Sequence, residues 1–310
     1  MKLFTAAAMA ALLAGPVLAA EPESCGSVHF SDVGWTDITA TTAVASTVLQ
    51  ALGYETDVSI LSVPVTYAGL SKGDVDVFLG NWMPTMEGDL APHRDDGTVE
   101  VLRANLEGAK YTLAVNNSLA EAGLKDFADI AKFGDQLDWT IYGIEPGNDG
   151  NRLILDMIEQ DKFGLGKFDL KESSEQAMLA EARRAEKSGE GIVFLGWEPH
   201  PMNTTIEMTY LTGGDEVFGP NFGGATVYTN TRKGYAAECP NVGKLLANLE
   251  FTLPLESEIM GKILDDGEDP NDAAAEWLTA NPDILATWLD GVTTRDGGDG
   301  LAAVKSSLGV

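Results

Sequence analysis

Val193-Phe194-Leu195-Gly196-Trp197-Glu198-Pro199-His200-Pro201-Met202 has a near copy earlier in the chain, Val77-Phe78-Leu79-Gly80-Asn81-Trp82-Met83-Pro84-Thr85-Met86, and one inserted residue aligns the two. Each Val-Phe-Leu run is short and apolar, is closed by glycine, and is followed by a proline that cannot continue a hydrogen-bonded ladder. Both read as buried strands that stop abruptly, with a tryptophan just past the carboxyl end. In open parallel sheets ligands bind beyond that edge, so the repetition implies two related lobes, each offering one indole to a common site. Chance recurrence of common strand residues is the alternative.

On the amino-terminal side, residues 27–32 read as a strand followed by Trp35. Residues 36–52 place Ala45, Val48, Leu49 and Leu52 on a helical spacing that stops at Gly53. Residues 56–63 read as the next strand, so the chain opens with a strand-helix-strand crossover and a parallel sheet is expected. Residues 64–71 read as a short helix opened by proline, leading through Gly73 into the first Val-Phe-Leu-Gly strand. Between the two copies, residues 111–116 read as a strand marking passage into the second lobe, and residues 127–133 as helical. Residues 139–144 form a strand feeding Glu145-Pro146-Gly147-Asn148-Asp149-Gly150-Asn151, and a helix follows over residues 152–160. The amides at that helix start, with Asn148 and Asn151 beside them, suit either a polar ligand or plain capping. Ser173-Ser174-Glu175-Gln176 has the form of a capping box.

After the second copy, residues 205–211 alternate as a strand leaving the second lobe, and residues 225–228 read as a strand back in the first. Beyond Val242 the pattern is helical, with Trp277 and Trp288 as core residues and Pro282 interrupting the run between them. The expected organisation is a leader at residues 1–20, a discontinuous first lobe at residues 21–106 and 211–310, and a second lobe at residues 107–210.

The leader holds one lysine, an apolar run and the small-residue end Val17-Leu18-Ala19-Ala20, the pattern of a secretory signal peptide cleaved near Ala19 or Ala20. No other stretch approaches the length a bilayer needs, and Cys25 follows Pro22-Glu23-Ser24 rather than a lipidation box. The mature chain is expected to be soluble, exported to the periplasm and free of a lipid anchor. Loss of Lys2 takes the formal charge from -28 to -29. Such a field repels nucleic acid and attracts cations, and the dispersed carboxylates also serve solubility. Cys25 and Cys239 are the two cysteines, and in an oxidising compartment they are expected to pair, with two buried free thiols as the alternative. Pairing would place the amino terminus and the region near residue 239 in one lobe.

Enzymatic signatures are poor. Gly69-Leu70-Ser71-Lys72-Gly73 has nucleophile-elbow spacing, but it closes a helix and precedes a strand, the reverse of the context that exposes such a serine. His29, His93 and His200 show no paired metal spacing, and no phosphate loop or dinucleotide fingerprint is present. Asp265-Asp266-Gly267-Glu268-Asp269 lacks the alternate-position spacing of a calcium loop and reads as a solvated turn. No cofactor, metal or catalytic residue is expected. The enzyme alternative is a secreted hydrolase or lyase acting on a cationic substrate through scattered carboxylates.

What remains is an aromatic set at loop or strand-edge positions, Trp35, Trp82, Tyr111 and Trp197, drawn from both expected lobes. A desolvated cation gains about 0.5 to 2 kcal/mol against each such ring, so several rings together support micromolar affinity, about -8 kcal/mol. A quaternary ammonium suits these faces best, because it has no donors to leave unsatisfied and its methyl groups bury well.

At Gly34-Trp35-Thr36-Asp37, Gly80-Asn81-Trp82-Met83-Pro84, Gly108-Ala109-Lys110-Tyr111, Pro146-Gly147-Asn148 and Gly196-Trp197-Glu198-Pro199-His200-Pro201, the chain resembles the exported substrate-binding proteins of glycine betaine and choline ABC transporters. It is most similar to the choline-binding periplasmic members, over essentially the whole mature length. The resemblance implies an α/β, two-lobed periplasmic binding protein of type II, each lobe a mostly parallel sheet flanked by helices, closing about a hinge over ligand in the interlobe cleft. It implies an ammonium box of Trp35, Trp82, Trp197 and Tyr111, ligand-hydroxyl contacts at Asp37 and Asn148, and a disulfide between Cys25 and Cys239. It further implies a monomer that delivers ligand to a membrane permease; a sensory module presenting ligand to a receptor is a third class.

Asp37 decides between close ligands. A carboxylate there accepts choline's hydroxyl and attracts its charge, whereas it repels the carboxylate of glycine betaine. Choline therefore ranks ahead of glycine betaine, trimethylamine oxide and dimethylsulfoniopropionate, whose binders share the architecture. The competing role for Asp37 is to complement the dipole of the helix beginning near Thr36. Glu198 and His200 have no counterpart in the first copy, and their roles are open.

Overall fold

The structure, a computed structural model, describes residues 21–310; the expected leader and its cleavage site lie outside the described residues. The chain opens with β1 (Ser27–Asp32), α1 (Thr36–Ala51), β2 (Glu55–Ile60), α2 (Val63–Lys72), β3 (Val77–Met83), α3 (Glu87–Asp95) and the long β4 (Val99–Asn116). It continues through α4 (Asn117–Glu121), β5 (Thr140–Tyr142), α5 (Asp149–Glu159), β6 (Asp169–Lys171), α6 (Glu175–Ser188), β7 (Val193–Glu198), α7 (Met202–Thr205) and β8 (Met208–Tyr210). After α8 (Asp215–Phe218) and the turn α9 (Pro220–Gly223) comes β9 (Gly224–Arg232). The remainder is helical: α10 (Tyr235–Glu238), α11 (Pro240–Asn248), α12 (Leu253–Gly261), α13 (Pro270–Ala280), α14 (Ile284–Trp288) and α15 (Gly300–Leu308). Among the described residues no helix is long and apolar enough to cross a membrane.

The strands form one mixed sheet in the order β2-β1-β3-β9-β4-β7-β5-β6, with β8 also on β4. Both ends are parallel, β1 pairing with β2 and β3, and β5 with β6 and β7. The crossover reading thus holds at each end. The centre is antiparallel, because β4 pairs along its first part with the returning β9 and along its last part with β7 and β8. Eighteen residues of β4 therefore run from one end of the molecule into the other. Local pattern revealed only its last third, since the antiparallel partners arrive from far along the chain.

The repeated strands occupy matching places. β3 lies parallel beside β1, and β7 parallel beside β5. Val77, Phe78, Val193, Phe194 and Leu195 are fully buried, each stabilising the fold by about 1.5 to 3 kcal/mol through burial. Both loop prolines, Pro84 and Pro199, follow cis peptide bonds. Helix α1 is buried along most of its length and packs against α12 and α13.

Several local expectations shift. β2 ends at Ile60, because α2 begins at Val63 with Pro64 in its first turn, where a missing N–H costs nothing. Residues 205–211 are not one strand: Met202–Thr205 makes a helical turn, Thr205 bonds its hydroxyl to Pro201 O, and only Met208–Tyr210 pairs. Ser174 caps α6 by accepting from Ala177 N–H, and position N3 is alanine, so the reciprocal half of a capping box is absent and Glu175 is released for other work. The reciprocal box sits instead at Asp126 and Asp129, opening the 3-10 helix Phe127–Phe133. Pro282 separates α13 from α14 as the sequence indicates, and Trp277 and Trp288 are both core residues. Cys25 and Cys239 form a disulfide with Cα atoms 5.5 Å apart, so the free-thiol alternative is not realised.

Candidate binding site

Trp35 stands at the amino cap of α1 in extended backbone, aimed by the tight turn at Gly34, whose φ of 82° favours glycine. Its indole N–H donates to Glu145 Oε1 at 2.5 Å. Asp37 lies in the first turn of the same helix and is 1% exposed. Trp82 sits near the end of β3 opposite Val227 of β9, and its indole N–H donates to Asp37 Oδ2 at 3.1 Å. Tyr111 of β4 lies directly opposite Trp197 of β7. Its ring meets Trp197 edge-on at a centroid distance of 6.3 Å and Trp82 at 6.0 Å.

Trp35, Asp37, Trp82, Tyr111 and Trp197, together with Ile144, line one small cavity. Five of the six residues singled out from sequence thus meet at one place. Asn148 stands one step behind them. It caps α5 by accepting from Asn151 N–H at 3.0 Å, and the same Oδ1 accepts from the Tyr111 hydroxyl at 3.0 Å. A Cβ added to Gly150 would fall 2.0 Å from the Tyr111 hydroxyl oxygen, so the close approach of that ring to α5 requires glycine.

The electrostatics are one-sided. No lysine or arginine is among the lining residues. Asp37 Oδ1 is buried without a hydrogen-bond partner among the described residues. Burial first, and the neighbouring Glu175 second, push the Asp37 carboxyl up to about 8. Glu256 of α12, also buried, is held well above the ordinary carboxylate range by desolvation and then by Asp37. Burial likewise raises Glu145 to about 7. Ionising a buried carboxylate with one oxygen unpaired is costly, and a positive charge or a hydroxyl placed against Oδ1 offsets that cost. Negative ring faces on the remaining sides act in the same direction.

Sequence reading missed the residues that hold these groups in place. Ile144 and Glu145 adjoin a motif already noted, while Phe218, which braces Tyr111 edge-on at 5.8 Å, carried no local signal. Glu175 looked like part of a helix cap, and Glu256 was not singled out. Glu198 pairs with Lys110 across the β4 and β7 ladder at 3.0 Å, and His200 bonds to Glu175. Among the described residues, the one cluster with metal-ligand proximity is Cys25, Glu238 and Cys239, and its sulfurs are engaged in the disulfide.

Residues 26–280 match the family described as the substrate-binding domain of ABC-type glycine betaine transport systems. A solved ABC-transporter choline binding protein in complex with choline is 69% identical, with a TM-score of 0.92 over 93% of this chain and 100% of that one. An ABC-transporter choline binding protein in an unliganded semi-closed conformation is 68% identical, with a TM-score of 0.86 over the same shares. The glycine betaine/carnitine transport binding protein GbuC of Listeria monocytogenes is 33% identical over 164 residues, which span 53% of this chain and 53% of that protein.

Proposed function

This chain belongs to the family of substrate-binding domains of ABC-type glycine betaine transport systems, and on that premise we propose that it captures choline between Trp35, Trp82, Tyr111 and Trp197 and delivers it to a transporter's membrane permease. The observation that carries the choice of ligand is the unpartnered Oδ1 of Asp37 inside an aromatic cavity that has no cationic side chain. Choline satisfies both halves of that site, its ammonium against the rings and its hydroxyl donating to Oδ1. Glycine betaine and dimethylsulfoniopropionate would bring a carboxylate that Asp37 repels and no lining residue neutralises. Trimethylamine oxide would set its oxygen against the same carboxyl group.

In this reading the first lobe comprises residues 21–106 and 211–310 and the second residues 107–210, and β4 with β9 forms the hinge. The sheet order supports it, with β2, β1, β3 and β9 on one side of β4 and β7, β5 and β6 on the other. The higher TM-score to the choline complex than to the semi-closed form supports a closed arrangement here. The protein works as a periplasmic monomer once residues 1–20 are removed, and it binds its ligand without turning it over. Asn148 serves by fixing the Tyr111 hydroxyl.

Calorimetric titration with choline, glycine betaine and trimethylamine oxide tests the proposal. Choline is expected to bind at micromolar concentration, about -8 kcal/mol, and the other two more weakly. Millimolar choline binding beside micromolar binding of either competitor overturns the ligand assignment.

A further inference from the structure

Helix α1 lacks a cap of its own: Trp35 occupies the cap position and its side chain makes no capping bond. The first-turn donors are met from 139 residues away. Thr36 N–H donates to Glu175 Oε2 at 2.8 Å, and the Thr36 hydroxyl donates to Glu175 Oε1 at 2.7 Å. His200 Nε2 lies 3.0 Å from the same Oε1. Because Met202 N–H donates to His200 Nδ1 at 2.8 Å, the ring proton is on Nε2, and His200 donates to Glu175 as well. Thr36, Glu175 and His200 are 3%, 1% and 2% exposed, so water does not compete for these bonds.

The placement of the three donors is what gives the contact meaning. Thr36 lies between Trp35 and Asp37, while the His200 ring packs edge-on against Trp197 at 4.8 Å. One carboxylate therefore ties the α1 side of the cage to the Trp197 side. We propose that Glu175 is a closure latch, a positioning residue of the second lobe that caps α1 of the first only when the lobes meet. The contact is charge-assisted and lies at the positive end of a helix, so it favours the closed form. It also brings a second carboxylate toward Asp37, as Glu175 contributes to raising that group. A cation in the cage offsets this repulsion. The latch thus engages best around a positively charged ligand, which couples closure to ligand charge.

This inference rests on the lobe division and ligand proposed above. Its test is Glu175→Gln, which keeps the shape but replaces one acceptor oxygen with an N–H donor, so that Thr36 or His200 loses its partner. Stopped-flow tryptophan fluorescence with choline should show dissociation faster by about tenfold or more, with association within about threefold of wild type, since the latch forms after encounter. The thermal midpoint of the ligand-free variant should stay close to wild type. Thr36→Ala, which removes one of the three bonds, should accelerate dissociation by a smaller factor. In wild type, choline should protect the Thr36 amide from hydrogen exchange, and in Glu175→Gln it should not. Dissociation within twofold of wild type, or equal protection of that amide, overturns the latch. Should wild type fail to bind choline, the ligand assignment is refuted, and Thr36 amide exchange in the two ligand-free proteins decides the latch: slower exchange in wild type supports it, equal exchange overturns it.

Discussion

The indole N–H of Trp82 donates to Oδ2 of Asp37 at 3.1 Å, while Oδ1 of the same buried carboxyl group accepts nothing among the described residues. Trp82 thus fixes the orientation of the carboxyl group, and in the proposed site Oδ1 is left for the ligand. Asp37→Asn keeps the shape and removes the charge. A hydrogen bond to a charged group is worth about 1.5 to 3 kcal/mol, so choline affinity should fall roughly 10- to 150-fold. Glycine betaine affinity should change less or rise, because a repulsion is removed. Calorimetry on both ligands checks this, and an unchanged choline affinity would take Asp37 out of the site.

The same carboxyl group gives the protein a pH signature. Burial and then Glu175 push Asp37 up to about 8, so its ionised form, the one that attracts choline and repels a ligand carboxylate, is favoured as pH rises toward that value. A folded-state value raised above the ordinary carboxylate range means that ionisation costs the native state, and this group subtracts stability as pH rises toward 8. A bound cation favours the ionised form. Choline affinity should therefore increase between pH 6 and 8, by at most about tenfold per pH unit, and level off above. Titrations in two buffers of different ionisation enthalpy should show a proton released on binding. Affinity that is flat or falls across this range would mean that Asp37 is already ionised before choline arrives.

Trp197 faces Tyr111 across the β4 and β7 ladder and is 4% exposed. Trp197→Leu keeps apolar volume but removes the ring face, so the loss should reflect the cation contact, about 0.5 to 2 kcal/mol, plus the contact area of the missing atoms. Choline affinity should fall roughly 10- to 100-fold, while far-ultraviolet circular dichroism stays that of wild type. An unchanged dissociation constant would remove this wall from the cage.

How much of this was legible in the sequence follows from which interactions are local. The two Val-Phe-Leu-Gly strands, α1 and the cage tryptophans were visible because apolar runs and prolines act over a few residues, but the strands do not stop at glycine: β3 and β7 run on through Gly80 and Gly196 and include Trp82 and Trp197. The antiparallel centre was not, because β9 meets β4 only after the chain has left and returned. Asp37, Tyr111 and the tryptophans, the proposed ligand contacts that the structure brings to one cavity, were legible, whereas Glu145, Glu175 and Phe218, which hold them, were not. A carboxylate that caps a helix 139 residues away looks, in sequence, like the first turn of its own helix. Asn148 shows the same limit: its amide oxygen accepts from the Tyr111 hydroxyl, a partnership that only the fold reveals.

Gly150 offers a test of that supporting layer that leaves the cage residues intact. An added methyl group would meet the Tyr111 hydroxyl at 2.0 Å and the Asn148 carbonyl oxygen at 3.1 Å, too close for either to stay in place. Gly150→Ala should therefore push the Tyr111 ring toward the cavity and weaken choline binding about tenfold or more. The position lies within α5, so alanine itself favours the helix by roughly 0.5 to 1 kcal/mol and the thermal midpoint should not collapse. Normal affinity in this variant would show that Tyr111 has room to adjust.

The disulfide separates stability from closure. Cys25 precedes β1 and Cys239 opens α11, so the bond lies within the first lobe as proposed and joins two segments 214 residues apart. Removing such a crosslink costs about 2 to 5 kcal/mol, chiefly by freeing the unfolded chain. The double variant Cys25→Ser, Cys239→Ser should lose several degrees in thermal midpoint. None of the cage residues shares the bond, and in the proposed division it does not cross from one lobe to the other, so the choline dissociation rate should stay within about twofold of wild type. Glu175→Gln is expected to do the reverse, with faster release and little change in unfolding. If reducing the disulfide also quickened release, the segment it anchors would belong to the moving parts, and the proposed lobe boundary would have to be redrawn.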